Sequence, residues 1–276
     1  MNYGFNAKCS KFFCILLLGL FVTSVAFGEI PNFFAGEARV FKLDPLYDGI
    51  IGGTGLALTG GMLLYDIFGE SKEFDGIQPD LSSVNKLDRW AAQPYSNTIH
   101  LTGTITEVLA MASPVVLAAT DIGEWGIFTV MYAESLLWAN GLKELTKTLV
   151  FRERPYMYFD GAPEDRIENG DFARSFPSGH STMAFNGAVF TSYVFSKYFP
   201  DSKWKVPVIA TSMSLAVVTG VQRVLSGNHF ITDVLAGALL GSFTGFMVPY
   251  LHTLPLKNEN LSVNVTPVGL SVKYML

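Results

Sequence analysis

Six long apolar segments dominate the sequence and limit the folds that it can adopt. Hydrophobic residues make up 49% of the chain and charged residues only 16%, whereas about a quarter of the residues in an average soluble domain are charged. Apolar segments of about 20 residues match the thickness of a bilayer when they are helical. The pattern therefore predicts an all-α fold, a six-helix membrane-type bundle. The segments cover residues 50–68, 98–119, 127–150, 181–199, 206–225 and 230–251.

The N-terminus resembles a secretory signal sequence over residues 1–28. Two lysines precede an apolar run over residues 15–27, and a small residue follows at Gly28. This order is typical of a signal peptide, although the same run could remain as an anchor helix. Cys9 and Cys14 both fall inside this segment, so cleavage would leave no thiol in the mature chain.

Four parts are expected along the chain. In the last part, apolar residues alternate with polar ones on either side of Pro267 and Gly269. This alternation predicts a short β-hairpin or an extended tail. The parts are a signal peptide at 1–28, a connecting arm at 29–48, the helical bundle at 49–254 and an extended C-terminal tail at 255–276.

Two cations stand at the end of the third apolar segment. Lys147 and Arg154 are seven residues apart, so both side chains would project from one face if the helix continued through them. Pro155 would then end the helix. Arginine binds phosphate oxygens with two nitrogens, and lysine supplies a point charge. Alternatively, a lysine and an arginine at the end of an apolar helix often only place their charges at the membrane–water interface.

A second group, Pro177-Ser178-Gly179-His180, stands directly before the fourth apolar segment. Ser178 can cap the helix, and Gly179 lets the backbone approach a ligand closely. The N–H groups and the dipole of a helix start favour an anion, and His180 is placed to donate a proton to a departing oxygen. Taken alone, the tetrapeptide is equally an ordinary capped helix start.

A third group lies at the start of the sixth segment, where His229 and Asp233 are four residues apart and Arg223 is six residues before His229. This spacing would place the histidine and the carboxylate on one helical face, where the carboxylate can hold the ring in one tautomer. A histidine oriented in this way can attack phosphorus as a nucleophile. An isolated pair at this spacing is often only structural.

All three groups fall at helix ends that antiparallel packing could bring to one side of the bundle. Their order and spacing resemble the three-part signature of the type 2 phosphatidic acid phosphatase and vanadium haloperoxidase superfamily. The resemblance covers roughly residues 98–252. One departure is Gln222, where the family commonly has serine.

The resemblance implies a phosphoric monoester hydrolase that needs no metal or other cofactor. His229 would form a phosphohistidine, His180 would protonate the leaving group, and Asp233 would orient His229. The other matching residues would hold the phosphoryl oxygens, and these are Lys147, Arg154, Ser178, Gly179 and Arg223.

The apolar segments favour an enzyme embedded in membrane lipid that acts on a lipid-linked phosphate, and the resemblance implies a site that faces the periplasm. The formal net charge of −5 gives no indication of a nucleic-acid partner. Six spans after a cleaved signal would instead place the site on the cytoplasmic side. Either the first segment does not span, the N-terminal run is not a normal signal, or the bundle is a secreted domain that does not span.

Three alternatives stay open. A secreted, non-specific acid phosphatase of the same superfamily, soluble in the periplasm, would explain polar groups inside the segments, such as Glu107, Glu134 and Asn186. A vanadium-dependent haloperoxidase would bind vanadate with the same residues. A structural or transport protein is the non-enzyme alternative, and the complete set of candidate catalytic residues argues against it. Neither the head group of the substrate nor the oligomeric state can be read from the sequence.

Overall fold

The computed structural model describes residues 40–69, 72–253, 261–266 and 269–274. The predicted signal peptide and most of the connecting arm lie outside these residues, and the division into four parts stays a prediction. The described chain is mostly helical. Its α-helices are α1 (Pro45–Phe68), α2 (Lys86–Ala91), α3 (Asn97–Met111), α4 (Ile122–Leu149), α5 (Glu164–Glu168), α6 (Gly179–Tyr198), α7 (Lys205–Leu225) and α8 (Ile231–Leu251).

Two short helices were not predicted. The six long helices match the six apolar segments, but α2 and α5 form in the polar connections, so the described residues contain eight α-helices. Helices of five or six residues are too short to show an apolar period. A local cap starts α2, where the side chain of Asn85 accepts from the backbone N–H of Asp88.

A 3₁₀ turn, Ser113–Ala119, extends α3, and two strands follow the helices. Strands β1 (Leu261–Thr266) and β2 (Gly269–Tyr274) pair antiparallel, where the alternating pattern predicted a hairpin or an extended tail.

Four of the described helical segments are long and apolar enough to cross a membrane, judged by length and composition. The helices α4 and α6 are more polar than these four. The four segments are Pro45–Phe68, Asn97–Ala119, Lys205–Leu225 and Ile231–Leu251.

Helix α6 is polar because other helices surround it. It packs against α3, α4, α7 and α8. Its buried Asn186 donates from Nδ2 to Ser135 Oγ at 2.6 Å on α4 and to Thr244 Oγ1 at 2.9 Å on α8. A polar side chain that hydrogen-bonds to neighbouring helices is compatible with a membrane interior.

Glycines on α8 bring this helix into backbone contact with α6. A Cβ atom added at Gly237, Gly241 or Gly245 would overlap a carbonyl oxygen of α6 or of its cap. The side-chain-free stripe therefore fixes the distance between the two helices. The backbone N–H of Ser178 donates to the carbonyl of Asp233 at 2.9 Å, which joins the starts of α6 and α8.

We expect Gly241→Ala to lower the melting temperature. The new methyl group would overlap the Thr182 carbonyl oxygen, and overpacking of this kind costs about 1–3 kcal/mol. Gly60→Ala is the matched control, because no described atom lies within 4 Å of its Cβ position and alanine favours a helix by about 1 kcal/mol over glycine. Circular dichroism during heating in detergent would measure both, and equal melting temperatures for the two variants would contradict the close contact.

Candidate active site

The eight residues predicted for the site lie at one end of the bundle, where α4 and α7 end and α6 and α8 begin. The backbone N–H of His229 donates to the carbonyl of Arg223 at 3.2 Å, and Nη1 of Arg154 lies 3.0 Å from Nε2 of His229. The structure therefore brings the three predicted groups together. They comprise Lys147, Arg154, Ser178, Gly179, His180, Arg223, His229 and Asp233.

The ring of His229 is buried, and its hydrogen bonds identify the tautomer. Nδ1 lies 2.7 Å from the carbonyl oxygen of Ser175. A carbonyl can only accept, so Nδ1 carries the proton and Nε2 of the neutral ring carries a lone pair. This lone pair faces the guanidinium of Arg154. His229 thus presents a nucleophilic nitrogen beside a cation that can hold an oxyanion.

The surroundings also keep this ring neutral. Burial lowers the pKa of His229, and the positive charges of Arg154 and Lys147 lower it further, to well below its ordinary value. The lone pair on Nε2 is therefore available at neutral pH and in mild acid.

Asp233 reaches His229 through another residue. Its Oδ2 atom is 3.9 Å from Nδ1 of His229, which is too far for a hydrogen bond. Instead Oδ2 accepts from Ser175 Oγ at 2.6 Å and from the backbone N–H of Phe230 at 2.8 Å, and Oδ1 accepts from Arg152. Ser175 also supplies the carbonyl that holds the ring, so Asp233 positions His229 by way of Ser175.

Two predicted helix faces do not form. Helix α4 ends at Leu149, so Lys147 and Arg154 do not share a helical face. Helix α8 begins at Ile231, so His229 precedes it. In both cases the candidate residue, Arg154 or His229, lies in the connection next to the helix, where backbone contacts with other segments set its position.

Arg154 lies in an extended segment, and hydrogen bonds of its backbone and of its guanidinium fix its position. Its backbone N–H donates to the carbonyl of Phe172 at 2.8 Å. Nη2 donates to the carboxylate of Asp171 at 2.7 Å, and Nη1 donates to the carbonyl of Asn228 at 3.0 Å. A guanidinium held in this way is preorganised for a phosphoryl oxygen.

Two lysines, Lys143 and Lys147, lie at the site end of the bundle together with the start of α6. Lys147 is buried and its Nζ donates to the carbonyl of Arg174 at 3.0 Å. Ser178 caps α6 with its side chain. A Cβ atom at Gly179 would lie 3.2 Å from Cδ of Lys143. The start of α6 and two lysines therefore form a positive region suited to an anion.

The side chain of His180 is 27% exposed. Its Nε2 lies 3.2 Å from Thr104 Oγ1 and 3.3 Å from Glu107 Oε2, both on α3. The His100 ring is 5.9 Å away between centroids. These contacts hold the ring at the start of α6, within reach of a proton donor or acceptor on α3.

Arg223 is fully buried at the end of α7. Its Nη1 lies 3.1 Å from Nδ1 of His100, and Nη2 donates to the carbonyl of the same residue. A Cβ atom at Gly103 would overlap Nη2, so only glycine leaves room for the guanidinium. Among the described residues, nothing accepts a hydrogen bond from Nε of Arg223.

Sequence analysis missed the residues that support this site. Asp171 is one, and it lies in a polar connection without periodic signal. Burial would raise the pKa of its carboxyl group, but Arg154, Lys147 and Arg166 outweigh burial and lower the pKa to about 2. Asp171 is therefore ionised and balances part of the positive charge around the site.

Asp88 on α2 is a second missed residue. It is buried and accepts from Arg152 Nη2 at 2.7 Å and from the backbone N–H of Thr232 at 3.0 Å. Burial would raise the pKa of Asp88, but the bonds from Thr232 and Arg152 lower it overall. Asp88 thereby ties the connection before α3 to the start of α8. A single acid in a charged loop gives no sequence signal for such a role.

A family model gives independent information on this region. Residues 128–255 match the model of the PAP2 superfamily, and this segment contains all eight predicted site residues. Residues 128–255 belong to the PAP2 superfamily. The resemblance stated from the three groups is thereby confirmed. Gln222, the departure from the usual PAP2 pattern, accepts from Thr106 Oγ1 at 2.7 Å, so its side chain faces α3.

Known proteins with PAP2 similarity match part of the chain. Phosphatidylglycerophosphatase B of Bacillus subtilis is 38% identical over 108 residues, which is 39% of this chain and 49% of that protein. Lipid A 1-phosphatase of Rhizobium johnstonii is 36% identical over 127 residues, which is 44% of each protein. The chain spans about half the length of the curated relatives that it matches.

A solved structure is also similar. The transmembrane PAP2 type phosphatidylglycerolphosphate phosphatase from Bacillus subtilis is 24% identical, with a TM-score of 0.46. The match covers 74% of this chain and 98% of that chain.

For a phosphatase with His229 as its nucleophile, the lowered pKa of this ring predicts that hydrolysis of p-nitrophenyl phosphate continues below pH 6.5. Protonation removes the lone pair, so kcat falls as the pH drops through the pKa of His229, which lies below the ordinary value of about 6.5. Arg154→Gln removes a charge that lowers this pKa, and we expect the acid limb of the kcat profile to move up by about one unit. Arg154→Lys retains the charge and serves as the control.

The substrate ionises at the same pH with all three proteins. A shift between their pH profiles therefore reports a change in the pKa of a group on the enzyme. An acid limb that stays in place in Arg154→Gln would contradict the electrostatic role of Arg154.

Proposed function

We propose that the protein is a PAP2-type phosphatase that hydrolyses a phosphomonoester or diphosphate through a phosphohistidine at His229. One observation carries the proposal: the Ser175 carbonyl accepts a hydrogen bond from Nδ1–H of His229, and the Nε2 lone pair faces Arg154. A buried nucleophile beside fixed cations and the start of a helix is the arrangement that phosphoryl transfer to histidine needs.

In the first step, Nε2 of His229 attacks phosphorus and the bond from phosphorus to the leaving oxygen breaks. His180 donates its proton to that oxygen, so that an alcohol leaves and His180 becomes neutral. The phosphorylated ring of His229 is a cation. Its proton stays on Nδ1 and is donated in a hydrogen bond to the carbonyl of Ser175, and the Asp233 carboxylate, 3.9 Å away, offsets the charge.

In the second step, water attacks the phosphoryl group and the bond between Nε2 and phosphorus breaks. His180 accepts the proton of that water, and inorganic phosphate leaves a neutral His229. In both steps, charge on the phosphoryl oxygens is stabilised by Arg154, Lys147 and Arg223 and by the start of α6. The residues of the chain supply this stabilisation themselves, which supports a reaction without a catalytic metal ion.

A lipid-linked substrate fits the chain best. The four membrane-length segments support an enzyme within the bilayer. The relatives phosphatidylglycerophosphatase B and lipid A 1-phosphatase bear names that indicate lipid phosphates. We therefore propose an integral membrane enzyme whose substrate carries its phosphate on a lipid.

The soluble acid phosphatase remains the second candidate, but its main support is weakened. Polar residues within the apolar segments favoured it, and the structure shows two of them inside the bundle. Asn186 is buried and donates from Nδ2 to Ser135 and Thr244, and Glu134 is fully buried. Such residues do not contact lipid, so they do not argue against a membrane.

We further propose that the site faces the periplasm. Lys197, Lys203 and Lys205 lie at and after the end of α6, at the opposite end of that helix from His180. Lysines are enriched on the cytoplasmic side of membrane proteins. If these three lysines are cytoplasmic, the start of α6 and the site are periplasmic.

The role of His180 predicts a dependence on the leaving group. In His180→Asn, an alkoxide must leave unprotonated, so we expect kcat on a lipid phosphate to fall by about 10²–10⁴-fold. With p-nitrophenyl phosphate the leaving group needs no proton, so a burst of p-nitrophenolate is expected, followed by slow hydrolysis of the phosphohistidine. Rapid-quench kinetics and mass spectrometry of the His229 peptide would measure both.

His229→Asn is the matched control for this experiment, and we expect neither turnover nor a burst with either substrate. A burst in His229→Asn would show a different nucleophile. Loss of the burst in a folded His180→Asn protein would contradict the assignment of His180 as the acid.

The orientation predicts selective labelling of single cysteines. Asp160→Cys lies in an exposed connection at the site end, and Asp201→Cys lies in an exposed turn after α6. We expect a membrane-impermeant maleimide to label position 160, and not 201, in right-side-out vesicles, with Cys9 and Cys14 replaced by serine. Labelling of 201 alone would reverse the orientation, and labelling of both would favour a domain that does not span.

A further inference from the structure

A second cluster of ionisable residues lies away from the candidate active site. It consists of Asp48 in the first turn of α1, Glu134 on α4 and His252 directly after α8. His229 and His252 stand before and after the 21-residue helix α8. At 1.5 Å per residue, this helix separates them by about 30 Å. The cluster is therefore independent of the phosphate chemistry.

The hydrogen bonds of His252 orient its ring toward two carboxylates. Nδ1 lies 2.8 Å from the carbonyl oxygen of Val248, so it donates its proton there. Nε2 lies 2.8 Å from Oδ1 of Asp48 and 3.3 Å from Oε2 of Glu134. A carbonyl that fixes one ring nitrogen so that the other can bind a metal is the usual support of a metal-bound histidine.

Glu134 is the member of the cluster that lacks a hydrogen-bond partner among the described residues. Its side chain is fully buried, and neither carboxylate oxygen has a hydrogen bond among the described residues. A proton on Nε2 of His252 can serve Asp48, the nearer acceptor, and leaves Glu134 with a contact of poor geometry. A buried carboxylate without a hydrogen-bond partner is unfavourable.

We propose that Asp48, Glu134 and His252 bind a divalent transition-metal ion of the Zn²⁺ type. The three ligand atoms lie within 4.8 Å of one another, and a tetrahedral zinc ion with bonds of about 2.0–2.2 Å places its ligands about 3.4 Å apart. Small side-chain movements bring the three atoms to that spacing. One imidazole nitrogen and two carboxylate oxygens are ligands that Zn²⁺ accepts.

Charge also favours a divalent ion in this place. Two carboxylates and a neutral imidazole carry a charge of −2, which one divalent cation neutralises. A protonated His252 would leave a buried net charge of −1. Water can complete the tetrahedral coordination.

The metal would act as a structural link between three helices. Asp48 belongs to α1, Glu134 to α4 and His252 follows α8. The backbone N–H of Lys42 donates to the carbonyl of His252 at 3.1 Å, so the segment before α1 already contacts this corner. A bound ion would fasten the first turn of α1 to the helices of the PAP2 segment and stabilise the folded chain.

Metal content and thermal stability test the proposal. The chain, purified in detergent with any affinity tag removed and stripped with EDTA, is expected to bind one equivalent of Zn²⁺ and to melt at a higher temperature when loaded. Asp48→Asn, Glu134→Gln and His252→Gln are each expected to weaken binding by at least about 10–100-fold, the loss expected when only a residue that hydrogen-bonds to a metal ligand is replaced. Isothermal titration and plasma mass spectrometry measure affinity and stoichiometry. Visible absorption of bound Co²⁺ reports the coordination.

His180→Gln and His229→Gln are the controls, since they alter the other end of the bundle and should keep the full equivalent. Asp48 is only half-buried, so Asp48→Asn tests the site even if Glu134→Gln fails to fold. Three outcomes would overturn the proposal: no saturable binding by the stripped protein, unchanged binding in Asp48→Asn and His252→Gln, or loss of binding only in the two control variants. Each would leave a protonated His252 between two carboxylates as the state of the cluster.

Discussion

The contact between α6 and α8 is the interaction on which the arrangement of the site depends. Without side chains at Gly237, Gly241 and Gly245, the two helices meet backbone to backbone. Their starts are then close enough for the N–H of Ser178 to reach the carbonyl of Asp233. One packing distance therefore sets the positions of the helix that would bind the phosphoryl group and of the helix that follows His229. A change in the distance between α6 and α8 would displace the starts of both helices together.

Sequence patterns predicted the side chains of the site better than their supports. His180, His229 and the cations were predicted from residue type and spacing, and the structure brings them to one end of the bundle. The support of His229 was not predictable, because it comes from the carbonyl of Ser175 and every residue has a carbonyl. Spacing alone also suggested that Asp233 would hold the ring directly, although α8 begins too late for that.

The end of α4 shows why the shared face of Lys147 and Arg154 does not form. That face required a helix that continues through Arg154, but the helix stops at Leu149, next to the predicted end of the apolar segment at residue 150. After it, the backbone pairs with a distant segment: Arg152 donates to Ala173 and accepts from Ser175. This pairing between segments far apart in sequence overrides local helix preference. The long apolar helices were predictable, because their composition reflects burial over many turns.

The His229 tautomer is fixed by a backbone carbonyl, that of Ser175, and this limits how substitutions can alter the site. A side chain that fixes a tautomer can be lost by one substitution, but a peptide oxygen is present whatever residue stands there. Mutation can therefore alter the proton position on His229 chiefly by displacing the main chain of the segment that ends at Ser175. That segment is paired with the stretch after α4, which also carries Arg152 and Arg154. The position of the His229 proton and the position of Arg154 therefore depend on the same pair of backbone segments.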